Sequence, residues 1–158
     1  VSTYTVPTRQ SLGGVLRDLV ARVRRLEGIP PRAVFEIKLF PDAIWGSISQ
    51  VVVGDDRFVL AIDVDLDGAA LLNVQAFVTT SGSSATEVMV RNISTGDNDM
   101  LLTPVTIASG DFNSDCGGAA DIDPDHQRVD ACNLIALDVD AAGTGAKGLG
   151  VILTFGGF

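Results

Sequence analysis

From residue 33 onward, runs of aliphatic and β-branched residues are broken every eight to fifteen residues by turns rich in glycine, aspartate or proline. Such runs are too short for helices and suit strands of ordinary length. AVFEIKLF (33–40), LLNVQAFVTT (71–80), TEVMVRNIS (86–94), NLIALDVD (133–140) and LGVILTFGG (149–157) read as strands. In the third of these, Val88, Val90 and Ile93 are expected on one face. SISQVVVGDDRFVLAIDV reads as two strands forming a hairpin about Gly54, Asp55 and Asp56. MLLTPVTIAS carries Pro104, which belongs near a sheet edge. Residues 110–132 read as one long loop. Seventeen aspartates against three glutamates fit this picture, because aspartate favours turns and glutamate helices. Seven or eight strands so punctuated predict an antiparallel β-sandwich, jelly-roll-like, over residues 32–158.

The amino-terminal part has another period. Residues 1–9, with Pro7, read as an extended arm. Residues 10–28 read as a helix, with Ser11 placed to cap it and Gly28, Pro30 and Pro31 ending it. Leu12, Leu16, Leu19, Val23 and Leu26 step by four, three, four and three, a heptad seam. Arg22 then falls at position g and Glu27 at e, where an ion pair between neighbouring copies would set register. The stretch RVRRLE resembles the trimerisation signature of short parallel coiled coils. The expected fold class is therefore mainly β, with an N-terminal helix in a trimeric coiled coil ahead of the sandwich, and the expected partner is a homotrimer.

Charge divides the chain. Residues 1–32 carry +4, and the remainder carries −13, for a net −9. The acidic body argues against nucleic acid as its partner. No stretch approaches the ~18 apolar residues of a membrane span, so no membrane insertion is expected. The opening VSTYTVPTRQ lacks the pattern of an export signal. Cys116 and Cys132 fit either a disulfide closing the intervening loop or two reduced thiols; without an export signal the reduced form is expected.

Few residues suggest chemistry. DVDLDG begins like a calcium loop, yet its twelfth position is Val74 where a glutamate would be needed. Asp63, Asp65 and Asp67 remain weak candidates for a looser metal site. Asp121, Asp123, Asp125 and Asp130 surround the single histidine, His126, and read as a solvated loop or a second weak cation site. GTGAKG is not a phosphate loop, because a strand rather than a helix follows it. No nucleophile motif stands out. Paired carboxylates could serve a glycosidase, but Trp45 is the sole tryptophan and suits a core or interface better than a sugar platform. Neither an enzyme nor a cofactor is expected.

The layout as a whole resembles small virion proteins of tailed bacteriophages: an arm, a trimeric coiled coil, a proline break and a carboxyl-terminal sandwich. TYTVPTRQSLGGVL and ALDVDAAGTGAKGLGVILTF carry the resemblance, the second as the final hairpin of such domains. It implies a non-enzymatic structural protein located in the virion, tail-associated and of the minor tail or fibre-like kind. A head-decoration or head-fibre protein is the alternative, and a carbohydrate-binding trimeric jelly roll is the rival from another class. The arm, with Tyr4, Val6, Pro7 and Arg9, would dock on other virion proteins, and the exposed domain would meet a host-surface glycan.

Overall fold

A computed structural model describes residues 34–39, 43–44, 47–117 and 119–157. All belong to the unit Arg32–Phe158. Ten strands follow in order: β1 (Val34–Leu39), β2 (Ala43–Ile44), β3 (Ser47–Ile48), β4 (Gly54–Ala61), β5 (Ala70–Phe77), β6 (Thr86–Asn92), β7 (Asn98–Asp99), β8 (Val105–Ile107), β9 (Leu134–Ala141) and β10 (Gly150–Gly156). Single 3-10 turns lie at Val64–Leu66 and Ser114–Gly117.

The strands form two antiparallel sheets and a small β2–β3 hairpin. Sheet one has the order β1-β10-β5. Sheet two has the order β4-β9-β6-β7, with β8 also paired to β6. The chain crosses from one sheet to the other between β4 and β5, β5 and β6, and β9 and β10. From β6 to β9 the chain stays in sheet two, so the architecture is an antiparallel β-sandwich of three strands against five. The place beside β5 where a fourth strand would lie is taken by irregular chain. Asn113 bridges Phe77 and Arg128 bridges Ala70, so the chain meets β5 in antiparallel order at these two points.

Period-two alternation builds the core. Leu71, Val74 and Ala76 of β5 and Val151, Leu153 and Phe155 of β10 face Val88 and Val90 of β6 and Ile135, Leu137 and Val139 of β9 in one buried cluster. Each face hides the other, and at roughly 25 cal/mol per Å² of apolar surface this burial is the main stabilising term. Phe77 packs over Gly150, its partner in register, where a side chain would collide with the ring.

The expected fold class is corrected by these elements. The described residues form strands and 3-10 turns with no α-helix among them, so the fold is mainly β. The core closes sheet against sheet and needs no helical layer. The arm and heptad segment, with Tyr4, Val6, Pro7, Arg9, Leu12, Leu16, Leu19, Arg22, Val23, Leu26 and Glu27, lie outside the described residues, as does Trp45. Two hairpins are also corrected. Gly54, Asp55 and Asp56 lie inside β4, with a register shift against β9 between Gly54 and Phe58. β9 and β10 belong to different sheets, so residues 142–149 are a crossing rather than a hairpin turn. In β6 the face shared by Val88 and Val90 continues to buried Asn92, not to Ile93.

The outer side of sheet two holds an ionic cluster. Asp138, 4% exposed, sits mid-strand in β9. Arg91 reaches it from β6 through Nε and Nη2, and the same guanidinium binds Asp97 and, at 3.0 Å, Asp56 of β4. Asp138 Oδ1 also accepts the Asp56 amide at 2.6 Å. The hydrogen bond to Asp138 is the largest influence holding Arg91 protonated, its pKa raised above the ordinary arginine value. Farther along β9, Asp140 is exposed on one side, and partial desolvation of the other, with Asp138 and Glu87 nearby, pushes its carboxyl up.

Two outcomes follow from this cluster. Arg91→Ala leaves Asp138 buried without its cation, and urea unfolding should show a loss of about 3–5 kcal/mol. Asp140 is the opposite case. Because its folded pKa is raised, its favourable contribution is present in acid and is lost as pH rises through that value. Asp140→Asn should therefore raise the melting temperature at pH 7, and the gain should shrink toward pH 4.

Candidate functional site

One end of the sandwich is a crown of four loops tied to one another by backbone bonds. The β9–β10 crossing, residues 142–149, lies at its centre. On one flank is the segment leading into β4: the Val51 amide donates to Ala146 O at 3.0 Å and the Gly148 amide to Ser49 O at 2.9 Å. On the other flank is the β5–β6 loop. The Thr79 amide and hydroxyl both donate to Lys147 O, Lys147 N donates to Thr80 O at 3.1 Å, and Ser83 N donates to Thr144 O at 2.9 Å. Beyond it stands the segment after β8, where Gly110 N donates to Gly82 O at 2.9 Å and Val78 N to Phe112 O at 2.8 Å.

Glycine makes this closeness attainable. A β-carbon at Gly143 would lie 2.6 Å from Ser84 O and 2.8 Å from Thr86 Oγ1. With hydrogen there instead, the Gly143 amide donates to Thr86 Oγ1 at 3.0 Å and the Thr144 amide to Ser84 Oγ at 2.9 Å. The two loops are thereby tied together by backbone-to-hydroxyl bonds.

The crown's exposed groups are small hydroxyls (Thr80, Ser83, Ser84, Thr144), Lys147, and three apolar side chains. Val52 and Val53 are 49% and 55% exposed at one flank, and Phe112 is 56% exposed at the other. The opposite end is acidic. It holds Asp63, Asp65, Asp67 and Asp130, together with the start of β1 beside the end of β10, where Val34 faces Gly156.

The aspartates singled out in the sequence act there as caps. Asp63 accepts the Asp65 amide at 3.1 Å to start the 3-10 turn. Asp67 Oδ1 accepts the Ala131 amide at 2.9 Å, tying the β4–β5 connection to the one before β9. Among the described residues, no three acidic, histidine or cysteine side chains come together as a metal-ligand set. In the second cluster only Asp123 and His126 join, with Oδ2 and Nδ1 2.7 Å apart, while Oδ1 accepts the Asp125 amide at 2.9 Å. The bond to His126, then that amide, holds the Asp123 carboxyl below the usual carboxylate range. Asp121 contributes its carbonyl to Leu102 N at 2.8 Å, and Asp130 its carbonyl to Asn133 N at 3.1 Å. Cys132 is an exposed free thiol.

Sequence reasoning missed the crown and the Arg91 cluster. The first has no local signal, because its partners are dozens of residues apart. The second has one: Arg91 is the single arginine or lysine between Arg57 and Arg128, placed mid-strand in an acidic chain. A cleft of about 230 Å³ lies beside β8, lined by Thr103, Val105, Thr106, Ser114, Ala120 and Asp121. It is smaller than the roughly 300–1,000 Å³ of ordinary ligand pockets, so the crown is the better site.

Compared by sequence, the chain matches no family model and no curated protein. By structure it is similar to the infectious bursal disease virus Gx strain, with a TM-score of 0.43 and 13% identity over 79% of this chain and 32% of that one. It is also similar to the VP2 subviral particle of infectious bursal disease virus, with a TM-score of 0.43 and 15% identity over 79% of this chain and 32% of that one. The chain thus spans about a third of the length of these viral proteins.

The close approach at Gly143 is testable. Gly143→Ala forces Ser84 or Thr86 aside and should destabilise the fold by about 1–3 kcal/mol in chemical denaturation. Amide exchange should quicken at Ser83 and Thr144 while the amides of β9 and β6 keep their order of protection.

Proposed function

We propose that this chain is a non-enzymatic structural protein of a virion, tail-associated and of the minor tail or fibre-like kind, with its crown turned toward the host surface. Two things support the reading. Two-sheet antiparallel sandwiches, jelly rolls among them, recur in viral coat and lectin domains, which is an analogy at the level of fold. The crown itself argues for contact rather than turnover. It is cross-linked by backbone bonds and lies at the opposite end from the first and last strand termini of the domain. That placement carries the proposal. A module anchored near β1 would present the crown outward, where loops that vary in side chain but not in frame can meet a partner.

Immunogold labelling with an antibody raised against residues 79–84, applied to purified particles of the virus that encodes the chain, tests this. Gold at the tail is the expected result. Gold spread over the capsid shell would replace the tail assignment with head decoration. Particles shown by mass spectrometry to lack the protein would end the virion reading.

A further inference from the structure

The two long sides of the sandwich are unlike. Along β5 and β8, residues 113–128 close the gap: they bridge β5 at Phe77 and Ala70, and Ile122 bridges Leu101. The other side is bounded by β1 and β4, the outermost strands of their sheets. Among the described residues, no strand pairs with the outer edge of β4.

Backbone geometry says which groups of β4 are left over. The Ile62 amide donates to Asn133 O at 2.8 Å, and the Cys132 amide donates to Ile62 O at 2.9 Å, so Ile62 faces β9. Leu60 and Phe58 share that direction by alternation, being paired with Ile135 and Leu137. Val59 and Ala61 therefore turn one donor and one acceptor each away from the sheet. Edge strands are ordinarily guarded by charge, proline or a bulge. The first half of β4 has such guards in Asp55, Asp56, Arg57 and the register shift. The second half, Phe58, Val59, Leu60 and Ala61, has none. Its outer face is also apolar: Val59 is 44% exposed, and Ala61 is paired with Leu134, itself 39% exposed.

We propose that the edge formed by residues 58–61 is a strand-addition site, which receives an extended segment of another protein with an alternating apolar core and basic flanks. Main-chain bonds to Val59 and Ala61 give the affinity, as in other strand-addition complexes. Charge selects the occupant. The apolar stretch lies between Asp55 on one side and Asp63 and Asp65 on the other, all exposed. A second copy is disfavoured: an antiparallel register with Val59 facing Val59 sets Asp55 opposite Asp63 at both ends, and like charges so placed destabilise a pair. Lysine or arginine at those places turns the repulsion into attraction.

The test uses the whole chain and a fluorescein-labelled peptide, Lys-Thr-Val-Thr-Val-Thr-Val-Lys, followed by anisotropy at about 50 mM salt, where screening is weak. Saturable binding is expected. It should weaken by about tenfold or more when the lysines become glutamates, and likewise in Val59→Pro, which deletes an outward amide and spares the ladder to β9. Melting of Val59→Pro checks that it folds; if it does not, the same peptide N-methylated on alternate amides should fail to bind the unaltered chain. Absence of saturation, or equal binding by a folded Val59→Pro or by the N-methylated peptide, would overturn the site. A dimer in sedimentation that Val59→Pro abolishes would overturn the occupant in favour of a second copy.

Discussion

Burial of one sheet's apolar face against the other's is the constraint from which the remaining features follow. A strand at the middle of such a sandwich has one side in the core and must find cover for the other. β9 shows the consequence, since residues 135–139 are all buried. Ile135, Leu137 and Val139 face the core. Ala136 and Asp138 face outward and are covered all the same, Asp138 by the guanidinium of Arg91. A buried carboxylate is tolerable only when it is paired and fully bonded. Asp138 meets that condition through Arg91 and the Asp56 amide. One polar cluster thereby holds β4, β9 and β6 in register on the face where apolar packing cannot.

The same constraint sets the connections. Strands that alternate between sheets must be joined by crossings at the ends, and the crossings at one end fall side by side. They then have unpaired backbone groups close together, and those groups pair with one another. The crown is the result. Lys147 O is shared by the Thr79 amide, the Thr79 hydroxyl and the Thr80 amide.

Legibility in the sequence divides along the same line. β6 was readable, because TEVMVRN alternates over its length and one side of it is core. The strands β1, β5, β9 and β10 were readable as apolar runs between turns. Which sheet each run joins was not. ALDVDAAGTGAKGLGVILTF looks like a hairpin locally, and only the burial of both β9 and β10 against opposite partners sends its halves to different sheets. Gly54, Asp55 and Asp56 have turn composition, yet the strand runs through them. Asp56 finds its partners in Arg91 and Asp138, and its positive φ is absorbed at a bulge. The aspartates of DVDLDG have ligand-like spacing, and two of them serve as backbone caps. An acidic side chain in a turn satisfies whichever amide lies nearest, and the sequence does not name an amide sixty residues away. The heptad spacing of residues 12–26 is the most regular pattern in the chain, and it lies outside the described residues.

The molecule's polarity ties these parts together. Acid accumulates at the end where β1 starts and β10 finishes, and along both flanks of the β4 edge. Acid is present at the crown's end too, where Asp55, Glu87, Asp111 and Asp140 stand near the strand ends with Lys147 as the counter-charge. On the proposed reading, contact there would depend on side-chain identity at Val52, Val53, Phe112 and Lys147, set on a frame of backbone bonds. Changing those side chains would alter the contact surface and leave the frame, whereas changing Gly143 disturbs the frame itself. A surface so divided would let the contacts of the proposed reading change while the sandwich beneath stays the same.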